Sequence, residues 1–268
     1  MGDEIQPNGG IIMEIAIITG ASSGLGTWYA RLLDSEGLDE IWLIARREKR
    51  LATIAQLLTT RTRILACDLT ETSAIERIAQ LLAKTAQPEI RWLINAAGFG
   101  RISSCAELPA NDAAHMVDLN CRAAVLLTGA ALPFMGAGSH IMNICSCAAF
   151  QPLPSLALYA ATKAFLLSYT RALSSELAPQ GILVTAVCPY WIRDTEFITH
   201  AEQTDTARAL RHFPFACAAE TVARRSLRAA KNGIGVVTPD AVSLLHRVAA
   251  KCLPQGLLMH LVGLWHRL

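Results

Sequence analysis

The chain lacks several features, and each absence narrows what it can be. None of its 268 residues belongs to an apolar run of about 18, the minimum for a helix that crosses a bilayer, so no transmembrane helix is expected. The N-terminus MGDEIQPNGGII has neither the basic start nor the long apolar region of a secretory signal, so residues 1–12 read as a dispensable leader. No long Lys/Arg block occurs, and a formal net charge of +2 is too small for a nucleic-acid footprint. The eight cysteines (67, 105, 121, 145, 147, 188, 217 and 252) include no CxxC pair and no further ligands at suitable spacing. No metal is expected, and the thiols read as buried groups of a cytoplasmic protein. Charged residues make up 17% and hydrophobic residues 52%, which excludes general disorder.

What is present is an alternation of apolar runs and helical patterns, with no repeat or linker to divide it. Strands are expected at 13–20 (MEIAIITG), 40–45, 63–67, 91–98, 140–146, 182–189 and 234–238. Between them lie helices near 25–36, 72–86, 111–135 and 156–178, with another opening at RREKRLATIAQLL. This order predicts an α/β fold: a doubly wound parallel sheet of about seven strands with helices on both faces, in one domain over 13–268.

The first strand runs into TGASSGLG, residues 19–26. Glycine at 20, 24 and 26 between a strand and a helix permits a tight turn. It also lets the backbone approach a pyrophosphate, which the helix N-terminus attracts. Dinucleotide binding follows, with Gly20, Ser22, Ser23, Gly24, Leu25 and Gly26 as the loop. At the end of strand two, where NAD-binding folds carry an acidic residue for the ribose 2′-OH, the sequence reads LIARREK. A guanidinium holds a 2′-phosphate that a carboxylate would repel, so NADP(H) is expected. Arg46 is the stronger candidate, Arg47 stands beside it, and Ser22 or Ser23 is a second contact.

The spacing TGxxxGxG, with NAAG at 95–98, Asn120, Ser146 and Tyr159-x-x-x-Lys163, resembles the short-chain dehydrogenase/reductase family. The resemblance covers nearly the whole chain after residue 13. It implies a Rossmann-type fold with Asn120, Ser146, Tyr159 and Lys163 as the catalytic set. It also implies cofactor contacts from Asp68 and Leu69 beside the adenine, and from Asn95, Ala96, Ala97, Gly98, Pro189, Ile192 and Thr195. Tyr159 and Lys163 share one helical face, and a neighbouring ammonium lowers a phenol pKa from about 10 toward a useful range. By resemblance Lys163 also binds the nicotinamide ribose, Ser146 orients the substrate oxygen, and Asn120 holds a water that links Lys163 to solvent.

The chain departs from the family after strand six. It reads CPYWIRDTEF, with Tyr190 where glycine is usual and Thr195 one residue late. Tyr190 and Trp191 are expected either to wall an apolar pocket or to pack in the core. Residues 190–216 form the substrate lid in relatives, and here they carry no evident anion clamp. The C-terminal segment 252–268 is unusually apolar, which leaves open a pocket cover, a subunit interface or a peripheral membrane contact. The expected substrate is a bulky apolar ketone or secondary alcohol, steroid- or lipid-like, as for a hydroxysteroid dehydrogenase or ketoreductase. A 3-oxoacyl thioester reductase is the enzymatic alternative and an NADP(H)-sensing regulator the non-enzymatic one. Relatives form homodimers or homotetramers, and the same is expected here.

Overall fold

A computed structural model describes residues 12–203 and 215–265. In chain order the elements are β1 (Met13–Thr19), α1 (Gly24–Leu33), β2 (Glu40–Ala45), α2 (Glu48–Ala55), β3 (Arg61–Ala66), α3 (Thr72–Lys84) and β4 (Pro88–Asn95). There follow α4 (Ala110–Val117), α5 (Ala123–Ala131), β5 (His140–Ile144), α6 (Ala157–Leu177), β6 (Leu183–Val187), α7 (Glu196–Gln203), α8 (Ala219–Lys231), β7 (Val236–Val237), α9 (Ala241–Cys252) and α10 (Gln255–Trp265).

The seven strands form one parallel sheet in the order β3-β2-β1-β4-β5-β6-β7. Period-two alternation explains the two cores. In β1, Ala16 and Ile18 face α1, α2 and α8, where they meet Tyr29, Leu33, Leu51, Val222 and Leu227. Ile15 and Ile17 face α3, α5 and α6, with Ile78, Leu82, Leu127 and Leu177. All four β1 side chains are fully buried, each contributing about 1.5–3 kcal/mol for the large ones. Strand order reverses on either side of β1, so the loops after β1 and β4 part and leave a crevice at their C-terminal ends.

Several boundaries differ from expectation, and three of the differences have a local reason. β4 stops at Asn95 because the next two amides, of Ala96 and Ala97, donate to Thr19 Oγ1 at 3.0 Å each. β5 ends at Ile144, and Cys147 starts a 3₁₀ turn (Cys147–Phe150) capped by Ser146 Oγ, so Cys145 and Cys147 do not share a strand face. The helix expected at 111–135 is interrupted by a π-helical turn, Asp118–Arg122, centred on Asn120. Such turns widen the helix at one residue and commonly sit at functional sites. The apolar stretch Ala110–Phe134 is long enough to cross a membrane by length and composition, yet it carries this turn and lays Ala123, Leu127 and Ala131 in the core. Of the cysteines, 121, 145, 147 and 188 are buried, whereas Cys105 and Cys252 are exposed.

Candidate active site

The crevice continues into a cavity of about 840 Å³, walled by residues from Gly20 to His246. At one end lies the glycine loop. Gly20 has φ +65°, and a Cβ there would stand 2.9 Å from the Ala96 carbonyl. A Cβ on Gly26 would lie 2.4 Å from the Gly20 oxygen, so the first turn of α1 can pack on the loop only as glycine. This leaves the N-terminus of α1 open toward the cavity, a ready site for a phosphate.

Beside the loop the two arginines take different places. Arg47 donates to Ser22 Oγ at 3.0 Å and to Ser23 Oγ at 2.9 Å through Nη2. Its Nη1 donates to Glu196 Oε2 at 2.7 Å. Arg46, expected to be the stronger contact, is 74% exposed, and its ion pair among the described residues is with Asp68 at 3.9 Å. The chain turns into α2 at Arg47, so the strand's alternation no longer decides which side chain points inward. Both arginines nevertheless line the cavity. Asp68 accepts from the Thr70 amide and hydroxyl at 2.9 and 2.8 Å. Burial pushes its carboxyl up, but those bonds with Arg46 and His115 hold it below its ordinary value.

At the middle of the cavity, α6 presents Tyr159 and Lys163 one turn apart, both buried. Lys163 Nζ lies 5.7 Å from the Tyr159 ring centroid and donates to the Ile144 carbonyl at 2.7 Å. Ser146, held at the strand end by the turn it caps, hydrogen-bonds Tyr159. Burial raises the Tyr159 pKa while the Ser146 bond lowers it, with a net rise. Burial also lowers that of Lys163. The phenol thus lies with the Lys163 side chain behind it and the Ser146 hydroxyl beside it.

Every expected cofactor contact except Asn95 lines this cavity, including Leu25, Leu69, Ala96, Ala97, Gly98, Pro189, Ile192 and Thr195. Asn95 lies behind the wall, donating to Asn143 Oδ1 at 2.8 Å and Thr128 Oγ1 at 3.3 Å. Its amide ties β4 to β5 and α5. Asn120 is also buried away from the cavity. Its Oδ1 accepts from the Phe99 amide, and both amide hydrogens are taken by Phe99 O at 2.9 Å and Thr162 Oγ1 at 3.1 Å. The side chain thus fixes the loop after β4 against α6, and a Cβ on Gly98 would meet both its Oδ1 at 2.9 Å and Lys163 Nζ at 3.4 Å. Thr195 donates to the Ile192 carbonyl at 3.0 Å and sets its methyl against Gly24.

Tyr190 stands where glycine is usual without strain: the described non-glycine residues with positive φ are Gln87, Ser155 and Phe215. Its amide donates to Asp240 Oδ2 at 3.0 Å, and the neighbouring thiol Cys147 and Asp240 add to burial in pushing its phenol up to about 12. Trp191 and Tyr190 both line the cavity, and Trp191 also packs against the buried cluster of Ile102, Met116, Leu156 and Tyr159.

The far end is apolar, and much of it was not legible in the sequence. Phe99, Leu153, Leu156, Phe197 and Phe215 join Tyr190 and Trp191, with Val242, Leu245 and His246 from α9. Phe197 packs on Tyr159 with ring centroids 5.4 Å apart. Gly100 makes room for both, since a Cβ there would meet Tyr159 at 2.8 Å and Phe197 at 2.9 Å. The FG pair after NAAG was the one local signal for this close approach. α9 lines the cavity through residues that precede the apolar C-terminal segment 252–268, and no described residue of that segment lines it. Residues 204–214 of the expected lid, residues 1–11 of the leader and residues 266–268 of the C-terminal segment lie outside the described residues. Among the described residues no group of three His, Cys, Asp or Glu is placed to hold a metal ion.

The cradle suits a dinucleotide: a helix N-terminus open beyond two close-packed glycines, and a guanidinium flanked by two hydroxyls. Comparison with known proteins agrees with this geometry. An uncharacterized oxidoreductase of Staphylococcus epidermidis is 33% identical over 178 residues, 66% of this chain and 76% of that protein. A short-chain dehydrogenase from Sphingobium yanoikuyae, solved in complex with NADPH, is similar with a TM-score of 0.75 and 28% identity over 92% of this chain and 95% of its own. A bulky-bulky ketone specific alcohol dehydrogenase from Comamonas testosteroni gives a TM-score of 0.72 and 26% identity, covering 92% of this chain and 94% of its own. Residues 14–206 match the family described as short chain dehydrogenase. The chain belongs to the short-chain dehydrogenase family of oxidoreductases.

Proposed function

We propose that this protein is an NADP(H)-dependent oxidoreductase that interconverts a bulky apolar ketone and its secondary alcohol. The observation that carries the reading is one cavity shared by two devices: Arg47 with Ser22 and Ser23 at one end, and Ser146, Tyr159 and Lys163 toward the other. When bound, the nicotinamide cofactor supplies or accepts a hydride at the carbonyl carbon. In reduction the substrate oxygen gains negative charge as the carbon is reduced, and Tyr159 Oη gives it a proton. Ser146 Oγ, beside Tyr159, holds that oxygen in place and helps to stabilise the charge. The Lys163 amine, 5.7 Å from the phenol ring, stabilises the phenolate left behind. In oxidation the same phenolate takes the proton from the alcohol. Asn120 is a positioning residue that ties Phe99 to Thr162 and so to the Tyr159 helix.

The substrate class rests on Phe99, Leu153, Leu156, Trp191, Phe197 and Leu245, which offer wide apolar contact and, among the described residues, no charged clamp at that end. The similar Comamonas protein is described as specific for bulky ketones, which favours the same class here. NADPH consumption against a panel of steroid, lipid and small ketones tests the reading. Tyr159→Phe should lower kcat about 10²- to 10⁴-fold while NADPH affinity stays nearly unchanged. Full activity in that variant would rule out Tyr159 as the proton donor.

A further inference from the structure

The first two residues of α7 reach into both devices. Glu196 accepts from Arg47 Nη1 at 2.7 Å through one oxygen and pairs with Arg50 through the other. The same Arg47 holds Ser22 and Ser23, so the carboxylate occupies the cationic end of the loop that a ribose 2′-phosphate would need. Burial pushes the Glu196 carboxyl up, but hydrogen bonds from Arg50 and Arg47 bring it below its ordinary value, and it is ionised near neutral pH. Phe197 follows directly, its ring 5.4 Å from Tyr159 and 5.9 Å from Trp191 between centroids.

We propose that Glu196 holds the place of the cofactor's 2′-phosphate on Arg47 and Arg50, and that it thereby sets how strongly the protein discriminates NADP(H) from NAD(H). The inference rests on the NADP(H) reading above. A carboxylate and a phosphate monoester ask for the same guanidinium donors, and two anions cannot share them at contact distance without repulsion. A phosphate that enters must displace Glu196, whereas a cofactor without that phosphate leaves both ion pairs intact. Displacement is affordable because Arg47, Arg50 and Glu196 keep side-chain exposures of 40%, 51% and 35%, so water screens the pairs. Glu196 therefore weakens phosphate binding without abolishing it. Because Phe197 is the next residue of the same helical turn, displacement also draws its ring from Tyr159. Entry of the phosphate and access to the phenol are thus linked events.

Calorimetric titration of adenosine 2′,5′-bisphosphate and of 5′-AMP into the wild-type, Glu196→Gln, Glu196→Ala and Arg47→Ala proteins tests this. Wild type should prefer the bisphosphate, and Arg47→Ala should lose most of that preference. Both Glu196 variants should bind the bisphosphate about three- to tenfold more tightly and 5′-AMP unchanged, as expected for removing two screened ion pairs. The bisphosphate should also shift Trp191 emission, a signal lost in Trp191→Phe, since this ligand has no nicotinamide half to touch Trp191 directly. If wild type discriminates through Arg47 but neither Glu196 variant binds the bisphosphate more tightly, the placeholder is overturned and the NADP(H) reading stands. If wild type shows no preference and Arg47→Ala changes nothing, both fall. An unchanged Trp191 emission at saturation would break the link to Phe197.

Discussion

The two ends of the cavity are built from different material. The phosphate end is mostly backbone: glycines packed so closely that a Cβ on Gly26 would fall 2.4 Å from the Gly20 oxygen, strand ends, and a helix N-terminus. Most of its side chains come from within a few residues of β1, β2 and β3, with Glu196 reaching in from α7. The substrate end is mostly side chains, drawn from the loop after β4, the start of α6, α7, Phe215 and α9. Backbone sites demand particular residues at particular spacings. Side-chain sites demand only that something apolar of suitable size be present, and many sequences meet that.

Substitutions should separate the two ends. The largest effect is expected from Gly26→Ala, where the new methyl meets the Gly20 carbonyl and the loop must shift. Overpacking of this kind costs about 1–3 kcal/mol. NADPH should bind about tenfold to a hundredfold more weakly in titration, with KM values for bulky and small ketones moving together. Leu245→Glu should act at the other end only. This side chain is 69% exposed at the cavity rim, so the protein should fold with unchanged melting temperature. The KM of bulky apolar ketones should rise about three- to tenfold, since up to the burial energy of one Leu is at stake, while small ketones and NADPH are unaffected. Equal effects on small and bulky ketones would mean that α9 does not contact substrate.

The smallest effect lies outside both ends. His140 stacks on Trp92 with ring centroids 4.0 Å apart. Burial, then Arg91 and Lys231, lower its pKa from 6.5 to about 4. In that window the unfolded chain takes up a proton that the native state refuses. Stability from this group is thus fully present above about pH 6.5 and lost as pH falls toward about 4. In urea denaturation, His140→Phe should flatten the acid limb across that window, with kcat unchanged at neutral pH.

Much of the fold was legible because burial on both faces makes parallel strands read as continuous apolar runs, and β2 appears at its observed bounds, 40–45. Ser146, Tyr159 and Lys163 stand out in the sequence through their resemblance to the short-chain dehydrogenase motifs, and one strand end and one helical turn bring them to one cavity. Other features needed the tertiary structure. Which of Arg46 and Arg47 meets the loop serines turns on where the chain leaves β2 for α2, which no residue type announces. Asn120 looks the same in sequence whether it faces a water or braces a loop, and its partners Phe99 and Thr162 are 21 and 42 residues away.

By itself, the sequence determined the sheet, the glycine turn and the Tyr159–Lys163 pair, because those depend on periodicity and on contacts within a few residues. Only the tertiary structure decided which arginine meets the loop serines, that Glu196 occupies that arginine, and which helix closes the apolar end. Those contacts join segments as far apart as 149 residues for Arg47 and Glu196. At such separations local propensity carries no information, and the packing of the whole sheet and its helices sets which side chains meet.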